Sequence, residues 1–261
     1  IKYYELYLAI NPNDNEVINN LASCYLKNKR YKLAVNYYRD LIKKNPHDQE
    51  YLTNLAFALI ESLNFKEGMQ ILEQLLDKNI NNKRAFSGYL FNQNYNPKIN
   101  FDKLNNYIKR FYQLLKKDNL NIVDFCFKKN PEKINVGFVS PDFRFHPVGY
   151  ALTNVVEHLK SYNFNLSGYY SFSFEDDLTN KFKEDFDHFH NIADLNDEQI
   201  VNKIRSDGIH ILIDLAGYTF NNRLSIFFFN PAPVQISMLG YLSTTGIKEI
   251  KYKIGDSYIY P

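Results

Sequence analysis

The sequence predicts a fold of the α plus α/β class, in which an α-helical repeat array precedes a parallel sheet. Over roughly the first ninety residues, matching residues recur 34 positions apart. Beyond residue 130, short apolar segments alternate with helical patterns, and this alternation is typical of a parallel α/β sheet. We therefore expect two regions with different architectures.

The composition argues for a globular protein and against a nucleic-acid-binding or membrane protein. Of the 261 residues, 45% are hydrophobic and 23% are charged, which is enough apolar material for a sizeable core. The net charge is only +2, without a Lys/Arg block, and no apolar run reaches the roughly 20 residues of a membrane span. The cysteines Cys24 and Cys126 lie far apart and fit a reducing compartment. We expect a cytoplasmic protein, also nuclear if its host is a eukaryote.

The repeat in the first region has the 34-residue period of the tetratricopeptide repeat. Small residues let paired helices approach closely, large residues fill the space between pairs, and proline ends the second helix of each pair. An ordinary helical hairpin bundle is the alternative. We expect an α-solenoid whose concave face binds extended segments of a partner protein. The period is marked by Asn11-Pro12 and Asn45-Pro46, Leu21-Ala22 and Leu55-Ala56, and Ala34 and Gly68.

Both ends of the repeat region depart from a complete unit. Residues 2–10 resemble the second helix of a repeat cut in two, and Ile80 stands where a proline would end the second complete unit. The chain also begins at Ile1, without an initiator Met. We interpret the sequence as a piece of a longer protein.

We divide the chain into repeats over 1–96, a linker helix and connection over 97–132, and a parallel-sheet domain over 133–261. Helices are predicted at 84–93 and 101–117, the latter with one long apolar face. The polar residues that follow place the domain boundary near residue 130.

In the last region we predict five strands and four helices. The strands are predicted at 134–139, 165–172, 209–214, 234–239 and 252–254. The helices are predicted at 150–161, 177–186, 197–206 and 222–229, with Pro147 and Gly149 delaying the first of them. Parallel strands present functional groups at their carboxyl ends, so the loops after these strands are the candidate site.

The loop 140–149 carries the first candidate residues. His146 can accept a proton or donate a hydrogen bond to a bound anion or sugar, although it can also cap the following helix. Asp142 is either a supporting carboxylate or a turn residue, and Arg144 either pairs with phosphate or is a solvated charge.

Two later loops contain glycine and threonine, which suit close approach of the backbone to a ligand. Gly217 and Tyr218 lie in the first of them, and residues 240–246 form the second. Asp214, at the end of a strand, either orients a ligand or accepts the amide N–H groups of its loop. His210, and the pair His188 and His190, are interpreted as structural residues, since no metal-ligand set surrounds them.

Four segments together resemble the protein O-GlcNAc transferase family and the related SPINDLY-type O-fucosyltransferases. The segments follow the repeats in this order: VGFVSPDFRFHPVGY, DGIHILIDLAGYTFNNRL, NPAPVQISMLGYLSTTG and YKIGDSYIYP. The resemblance implies a glycosyltransferase of two Rossmann-like domains with the active site between them. It further implies that 133–261 is the N-terminal Rossmann-like half, that the C-terminal half is absent, and that this chain alone is inactive.

The resemblance also assigns individual residues. His146 falls on the family's active-site histidine, which is a base candidate, and Leu239 and Gly240 fall on the LGY segment that borders the transferred sugar. Where the family's loop reads GYPGT[ST]G, this chain has Leu242 and Ser243 in place of proline and glycine, which alters the rigidity of the loop. The remaining residues implied to bind substrate or donor sugar are Tyr241, Thr244, Thr245, Gly217 and Tyr218.

The implied reaction is inverting transfer of N-acetylglucosamine from UDP-GlcNAc to Ser or Thr hydroxyls of intracellular proteins, with the repeats recognising the acceptor. The nucleotide sugar is then a co-substrate, and we expect neither a cofactor nor a metal. GDP-fucose as the donor is one alternative, and a noncatalytic repeat-containing scaffold is another.

Overall fold

The computed structural model describes residues 1–78, 81–118, 120–124, 127 and 130–258. Ile80, Cys126 and the last three residues of the segment YKIGDSYIYP, 259–261, lie outside these ranges. The chain divides into two compact units, Ile1–Tyr107 and Ile108–Pro261. Each unit is described separately below.

The first unit consists of helices that form the predicted repeat hairpins. Asp14 and Asp48, 34 residues apart, each begin a helix by accepting a hydrogen bond from the backbone N–H of Val17 and Tyr51, respectively. The helices are α1 (Lys2–Ile10), α2 (Asn15–Lys27), α3 (Tyr31–Lys44), α4 (Gln49–Glu61), α5 (Phe65–Asp77) and α6 (Lys83–Asn92), followed by a 3-10 turn at Gln93–Tyr95.

The small residues of the repeat lie where helices touch. Ala22, Ala34 and Ala56 are fully buried, and a Cβ on Gly68 would lie 2.6 Å from the carbonyl oxygen of Ala56. No side chain larger than hydrogen fits at position 68 without moving α5 away from α4. The packing role that the sequence pattern predicted for these positions is therefore present.

The second unit is a six-stranded parallel sheet with helices in the crossovers. The sheet order is β3-β2-β1-β4-β5-β6, and every neighbouring pair is parallel. The elements are α7 (Phe101–Leu115, which contains the division between the units), β1 (Ile134–Ser140), α8 (Pro147–Leu159), β2 (Phe164–Tyr170), α9 (Asp177–Asp185), β3 (His188–Asn191), α10 (Asp197–Ser206), β4 (Ile211–Asp214), α11 (Leu224–Phe227), β5 (Val234–Met238) and β6 (Tyr252–Ile254).

One face of the sheet is covered by an apolar cluster that fixes the first crossover. Phe138 from β1 and Leu166 from β2 are fully buried in it, with Leu152 from α8 and Phe182 from α9. Burial of such large side chains contributes roughly 1.5–3 kcal/mol each. The cluster thereby fixes the start of α8 against the end of β1, which positions the first candidate loop.

The structure differs from the predicted elements mainly at β3, at the start of α8 and in the length of α11, which spans Leu224–Phe227 instead of 222–229. A sixth strand, β3, occupies His188–Asn191, because its backbone pairs with β2 although its side chains give no apolar pattern. Helix α8 begins at Pro147 instead of near residue 150, since proline lacks only an N–H that the first turn does not need. The boundary between compact units falls between Tyr107 and Ile108, upstream of residue 130, while the three domain ranges derived from the sequence stay predictions.

Within the described ranges, every helix is too short or too polar to cross a bilayer.

Candidate functional site

Three loops lie at the carboxyl edge of the parallel sheet. The strands β1, β4 and β5 are neighbours in the sheet and run in the same direction, so their carboxyl ends share one edge. We call the loops that follow them the His146 loop (141–146), the Gly217 loop (215–219) and the Gly240 loop (239–246). The sequence predicts this convergence, because parallel strands present their following loops at one edge of a sheet.

His146 is held at the start of α8 by a helix cap. Its backbone is extended, and its Nδ1 accepts a hydrogen bond from the N–H of Val148 at 3.3 Å. The side chain therefore occupies the N-cap position that an Asp or Ser usually fills, while 35% of it remains exposed. The alternative of a capping histidine is thus realised, and the cap holds the ring in one orientation at the edge of the sheet.

A buried carboxylate, that of Asp142, lies beside the histidine. Asp142 Oδ2 is 3.5 Å from His146 Nδ1, and Asp142 Oδ1 accepts a hydrogen bond from Arg144 Nη2 at 3.1 Å. Burial raises the pKa of the Asp142 carboxyl, while the nearby His146 and Arg144 oppose that rise. Arg144 also lies over the ring of Phe172, 5.0 Å from its centroid, so it is a paired and packed cation and not a solvated one.

The Gly217 loop is organised by Asp214 at the end of β4. The carboxylate accepts hydrogen bonds from the N–H groups of Ala216 and Gly217 at 2.9–3.2 Å, and burial raises its pKa to about 6. Gly217 has a φ of +54°, and a Cβ there would lie 2.4 Å from the side chain of Tyr241. Asp214 therefore caps its own loop, which was one of the two interpretations of the sequence.

The Gly240 loop begins and ends with residues in the left-handed region. Leu239 has a φ of +64° and Gly246 a φ of +66°. A branched residue such as Leu239 adopts this conformation only where its surroundings enforce it, and such strain is concentrated at functional sites. Nζ of Lys253 donates hydrogen bonds to the carbonyl oxygens of three successive loop residues, Tyr241, Leu242 and Ser243, at 3.1, 2.5 and 2.9 Å.

Direct contacts connect the three loops. Tyr218 Oη donates a hydrogen bond to the carbonyl oxygen of Thr245 at 2.5 Å, which ties the Gly217 loop to the Gly240 loop. Gly240 lies so close to the Gly217 loop and to the first turn of α8 that a Cβ would be 2.0 Å from the carbonyl oxygen of Leu215 and 3.3 Å from the side chain of Val148. Val148 donates its N–H to the ring of His146, so displacement of one loop affects the others.

The candidate residues differ in what they can offer to a ligand. The Tyr241 and Thr245 side chains are buried and support the loop, whereas Thr244 is exposed and its Oγ1 accepts a hydrogen bond from the Gly246 N–H. Tyr218 is also buried, 2% exposed. The exposed or half-exposed groups are therefore the His146 ring and the backbone and hydroxyl groups of the Gly240 loop.

The other histidines lie away from this edge cluster. His210 Nδ1 accepts a hydrogen bond from the Asn135 N–H, which is the structural role expected of it. His190 Nε2 lies 3.4 Å from Asp207, and burial lowers the pKa of His190. Among the described residues, no group of three or more His, Cys, Asp or Glu side chains is placed to hold a metal. The expectation of neither metal nor cofactor stays a prediction.

Two features of this edge are not predicted by the sequence. Lys253 was not singled out, because a lysine on a short exposed strand has the pattern of an ordinary solvated charge. Phe145 and Tyr150 stack on each other with ring centroids 6.0 Å apart, and both are more than half exposed. The two residues are five positions apart with Pro147 between them, which matches neither the spacing of helix neighbours nor that of strand neighbours, so the sequence does not predict their contact.

Comparison with known proteins agrees with this architecture. The model of glycosyl transferase family 41 matches residues 70–261, and a tetratricopeptide repeat model matches residues 26–87. The solved structure of an O-GlcNAc transferase mutant (K341M) from Thermobaculum terrenum is similar over 98% of this chain and 49% of that one, with a TM-score of 0.87 and 27% identity.

Curated relatives are similar over a shorter stretch. The probable UDP-N-acetylglucosamine--peptide N-acetylglucosaminyltransferase SPINDLY of Arabidopsis thaliana is 33% identical over 138 residues, 51% of this chain and 15% of that protein. The UDP-N-acetylglucosamine--peptide N-acetylglucosaminyltransferase of Caenorhabditis elegans is 32% identical over 155 residues, 57% of this chain and 13% of that protein. The matched stretch is thus a small part of each curated relative. Because the family model covers well over half of the chain, this protein belongs to glycosyl transferase family 41.

Proposed function

We propose that the protein containing this chain transfers N-acetylglucosamine from UDP-GlcNAc to Ser or Thr hydroxyls of proteins, with inversion at the anomeric carbon. Membership in glycosyl transferase family 41 carries the proposal. The names of the relatives in A. thaliana and C. elegans, which specify UDP-N-acetylglucosamine and a peptide, support the donor and the acceptor class.

In this reaction His146 orients the acceptor hydroxyl or accepts its proton. The hydroxyl must lose its proton as the anomeric carbon becomes electron-poor, and a half-exposed imidazole at the carboxyl edge of the sheet suits that task. Asp142 and Arg144 support the ring and its electrostatic surroundings.

The Gly240 loop borders the transferred sugar in this proposal. Its backbone at Leu239 and Gly240, with the exposed Thr244, offers hydrogen-bonding groups at the edge, while Tyr241 and Thr245 support the loop from inside. The Gly217 loop, with Gly217 and Tyr218, sets the position of the Gly240 loop. The leaving nucleotide diphosphate requires positive charge or oriented N–H groups for its stabilisation.

The repeats recognise the acceptor protein. Tetratricopeptide arrays bind extended segments along their concave face, and the matched repeat model covers residues 26–87. In this proposal the repeats supply affinity for the acceptor, and the sheet unit supplies the chemistry. We place the enzyme in the cytoplasm and assign it no metal or cofactor, so transfer should persist in the presence of EDTA.

The test is a transfer assay with the complete translation product of the transcript that encodes this chain. Labelled UDP-GlcNAc and GDP-fucose are supplied in parallel with Ser/Thr-containing protein acceptors. Label from UDP-GlcNAc on Ser or Thr supports the proposal, and label only from GDP-fucose replaces it with O-fucosyl transfer, the alternative that the resemblance to SPINDLY-type O-fucosyltransferases implies. Binding of acceptors by the repeats without transfer of either sugar would assign the protein to a scaffold role.

A further inference from the structure

The Gly240 loop has no covalent device that would hold its middle residues in place. Its sequence from 240 to 246, GYLSTTG, contains no proline, and a flexible glycine stands at each end. Leu239, just before it, is in the strained left-handed region. A loop of this kind keeps a single conformation only if contacts from outside hold it.

Lys253 provides such contacts. Its Nζ lies 3.1, 2.5 and 2.9 Å from the carbonyl oxygens of Tyr241, Leu242 and Ser243, so three consecutive backbone acceptors converge on one cation. An ammonium group has three donors and no acceptor, so it can donate to three carbonyl oxygens at once. Hydrogen bonds from a charged donor are roughly twice as strong as neutral ones, which makes this an effective restraint even near solvent.

The position of Lys253 in the sheet explains how it reaches the loop. Lys253 is the middle residue of β6 and is in register with Ser237 on β5, the strand that leads into the loop. The same cation lies near enough to the buried carboxylate of Asp214 to favour its charged form. Lys253 therefore donates to the backbone of the Gly240 loop and also acts electrostatically on the carboxylate that caps the Gly217 loop.

We propose that Lys253 is a positioning residue for the sugar-binding loop, which its ammonium group holds in the conformation that receives the donor sugar. The inference rests on the proposed function for the identity of the ligand, but the restraint itself is a property of this chain. Lys253 does not contact the reacting atoms in this proposal. It acts through the backbone of residues 241–243.

The restraint can be measured on this chain without donor or acceptor. Gly246 N–H and Ile247 N–H donate to the hydroxyls of Thr244 and Thr245 at the end of the loop, so their exchange rates report on its conformation. In Lys253→Met, which keeps the aliphatic stem and removes the donors, we expect both amides to exchange about tenfold faster, as loss of a charge-assisted bond predicts. Lys253→Arg restores charge and donors and should recover most of the protection.

Lys251 offers a matched control on the same segment. Its side chain is exposed and makes no hydrogen bond or ion pair with the described residues, so Lys251→Met should leave both amides unchanged. Unchanged exchange in Lys253→Met, or failure of Lys253→Arg to recover the protection that Lys253→Met loses, would overturn the proposal. If Lys253→Met does not fold, the nitrogen-15 spectrum of the wild-type chain decides. A lysine ammonium in three hydrogen bonds retains its protons long enough to give a signal, whereas an ammonium in free exchange at position 253 overturns the proposal.

The link to the sugar is tested in the transfer assay described above. With the complete translation product, Lys253→Met should raise the donor KM about tenfold with kcat changed less than about twofold, since a loop that must be ordered on binding costs ground-state affinity. If the Gly246 and Ile247 amides of Lys253→Met exchange faster but its donor KM equals that of Lys251→Met, the link to the sugar is refuted. Absence of any transfer by the wild type would count against the proposed function and would leave the exchange results for Lys253 intact.

Discussion

Asp142 Oδ2 lies 3.5 Å from His146 Nδ1, and the same nitrogen accepts a 3.3 Å hydrogen bond from the Val148 N–H. The two neighbours favour opposite tautomers. A carboxylate favours a proton on Nδ1, which leaves Nε2 able to accept one, whereas the Val148 N–H requires a lone pair on Nδ1. In the structure Nδ1 is the acceptor, so the cap prevails; a charge on Asp142 increases the population of the Nδ1–H tautomer, in which Nε2 can act as a base.

The first prediction separates the observed role of His146 as a helix cap from its proposed role in catalysis. His146→Asn replaces the imidazole with a side chain that caps helices well, whereas His146→Ala removes both the imidazole and the cap. In the complete translation product both variants should lose sugar transfer. Only His146→Ala should also lose stability, by about 1 kcal/mol, measured by urea unfolding. Near-normal transfer by His146→Asn would remove the histidine from the mechanism.

The second prediction concerns the carboxylate beside the histidine. Asp142→Asn keeps the shape of the side chain but removes the charge that favours Nδ1–H, so kcat should fall by roughly 10²- to 10⁴-fold, the range seen when a base is held in the wrong tautomer. Nitrogen-15 chemical shifts of the His146 ring in this chain should show the Nε2-protonated form gaining population in the variant.

A matched control for this second prediction lies on the other side of the sheet. Asp207 faces His190 at 3.4 Å, as Asp142 faces His146, but belongs to none of the three loops. Asp207→Asn should alter the His190 signals and leave transfer unaffected. An equal loss of transfer in both variants would show that the effect of Asp142 is one of general stability.

The strands of the sheet were predictable from the sequence where they are buried and β-branched. The predicted bounds of strands β1, β4 and β5 agree with the structure within two residues at each end. Their interiors contain apolar residues such as Val136, Leu212 and Ile236, which favour a strand. Strand β3 was missed because it is an edge strand of four residues whose sequence, HFHN, gives no periodic signal. Its backbone pairing with β2 alone defines it.

The candidate site was predictable as a location but not as a set of contacts. The order of strands and loops placed His146, Gly217 and Gly240 at one edge, since parallel strands all end there. The interactions that fix them connect side chains with backbone carbonyls, as Lys253 does with Tyr241 and Tyr218 does with Thr245. Any residue supplies a carbonyl, so such pairs leave no mark in the sequence.

The third prediction concerns the pH dependence of stability that Asp214 causes. Burial raises its pKa from 3.8 to about 6, so the folded state binds a proton more tightly than the unfolded state. The resulting stabilisation is fully present below pH 3.8 and is lost as the pH rises through about 6. Asp214→Asn abolishes this titration and keeps an oxygen for the N–H groups of Ala216 and Gly217.

The free energy of unfolding of Asp214→Asn, relative to wild type, should therefore increase by on the order of 2 to 4 kcal/mol between acid and neutral pH. Denaturant unfolding at several pH values measures this difference. Asp194→Asn, which replaces an exposed carboxylate, is the control. A difference between Asp214→Asn and wild type that does not vary with pH would show that the carboxyl has the same pKa in the folded and unfolded states, so that burial does not raise it.

The fourth prediction tests the close approach of the Gly240 loop to the end of β4. A Cβ at position 240 would lie 2.0 Å from the carbonyl oxygen of Leu215, which is backbone and cannot rotate away. In Gly240→Ala the Gly240 loop must therefore move, and we expect a loss of roughly 1–3 kcal/mol in the free energy of unfolding together with a large loss of transfer. Gly255→Ala, at an exposed position after β6, should change neither quantity appreciably. Because Gly240 also lies against Val148, the displaced loop should perturb the His146 ring, and unchanged His146 signals in Gly240→Ala would contradict the coupling of the loops.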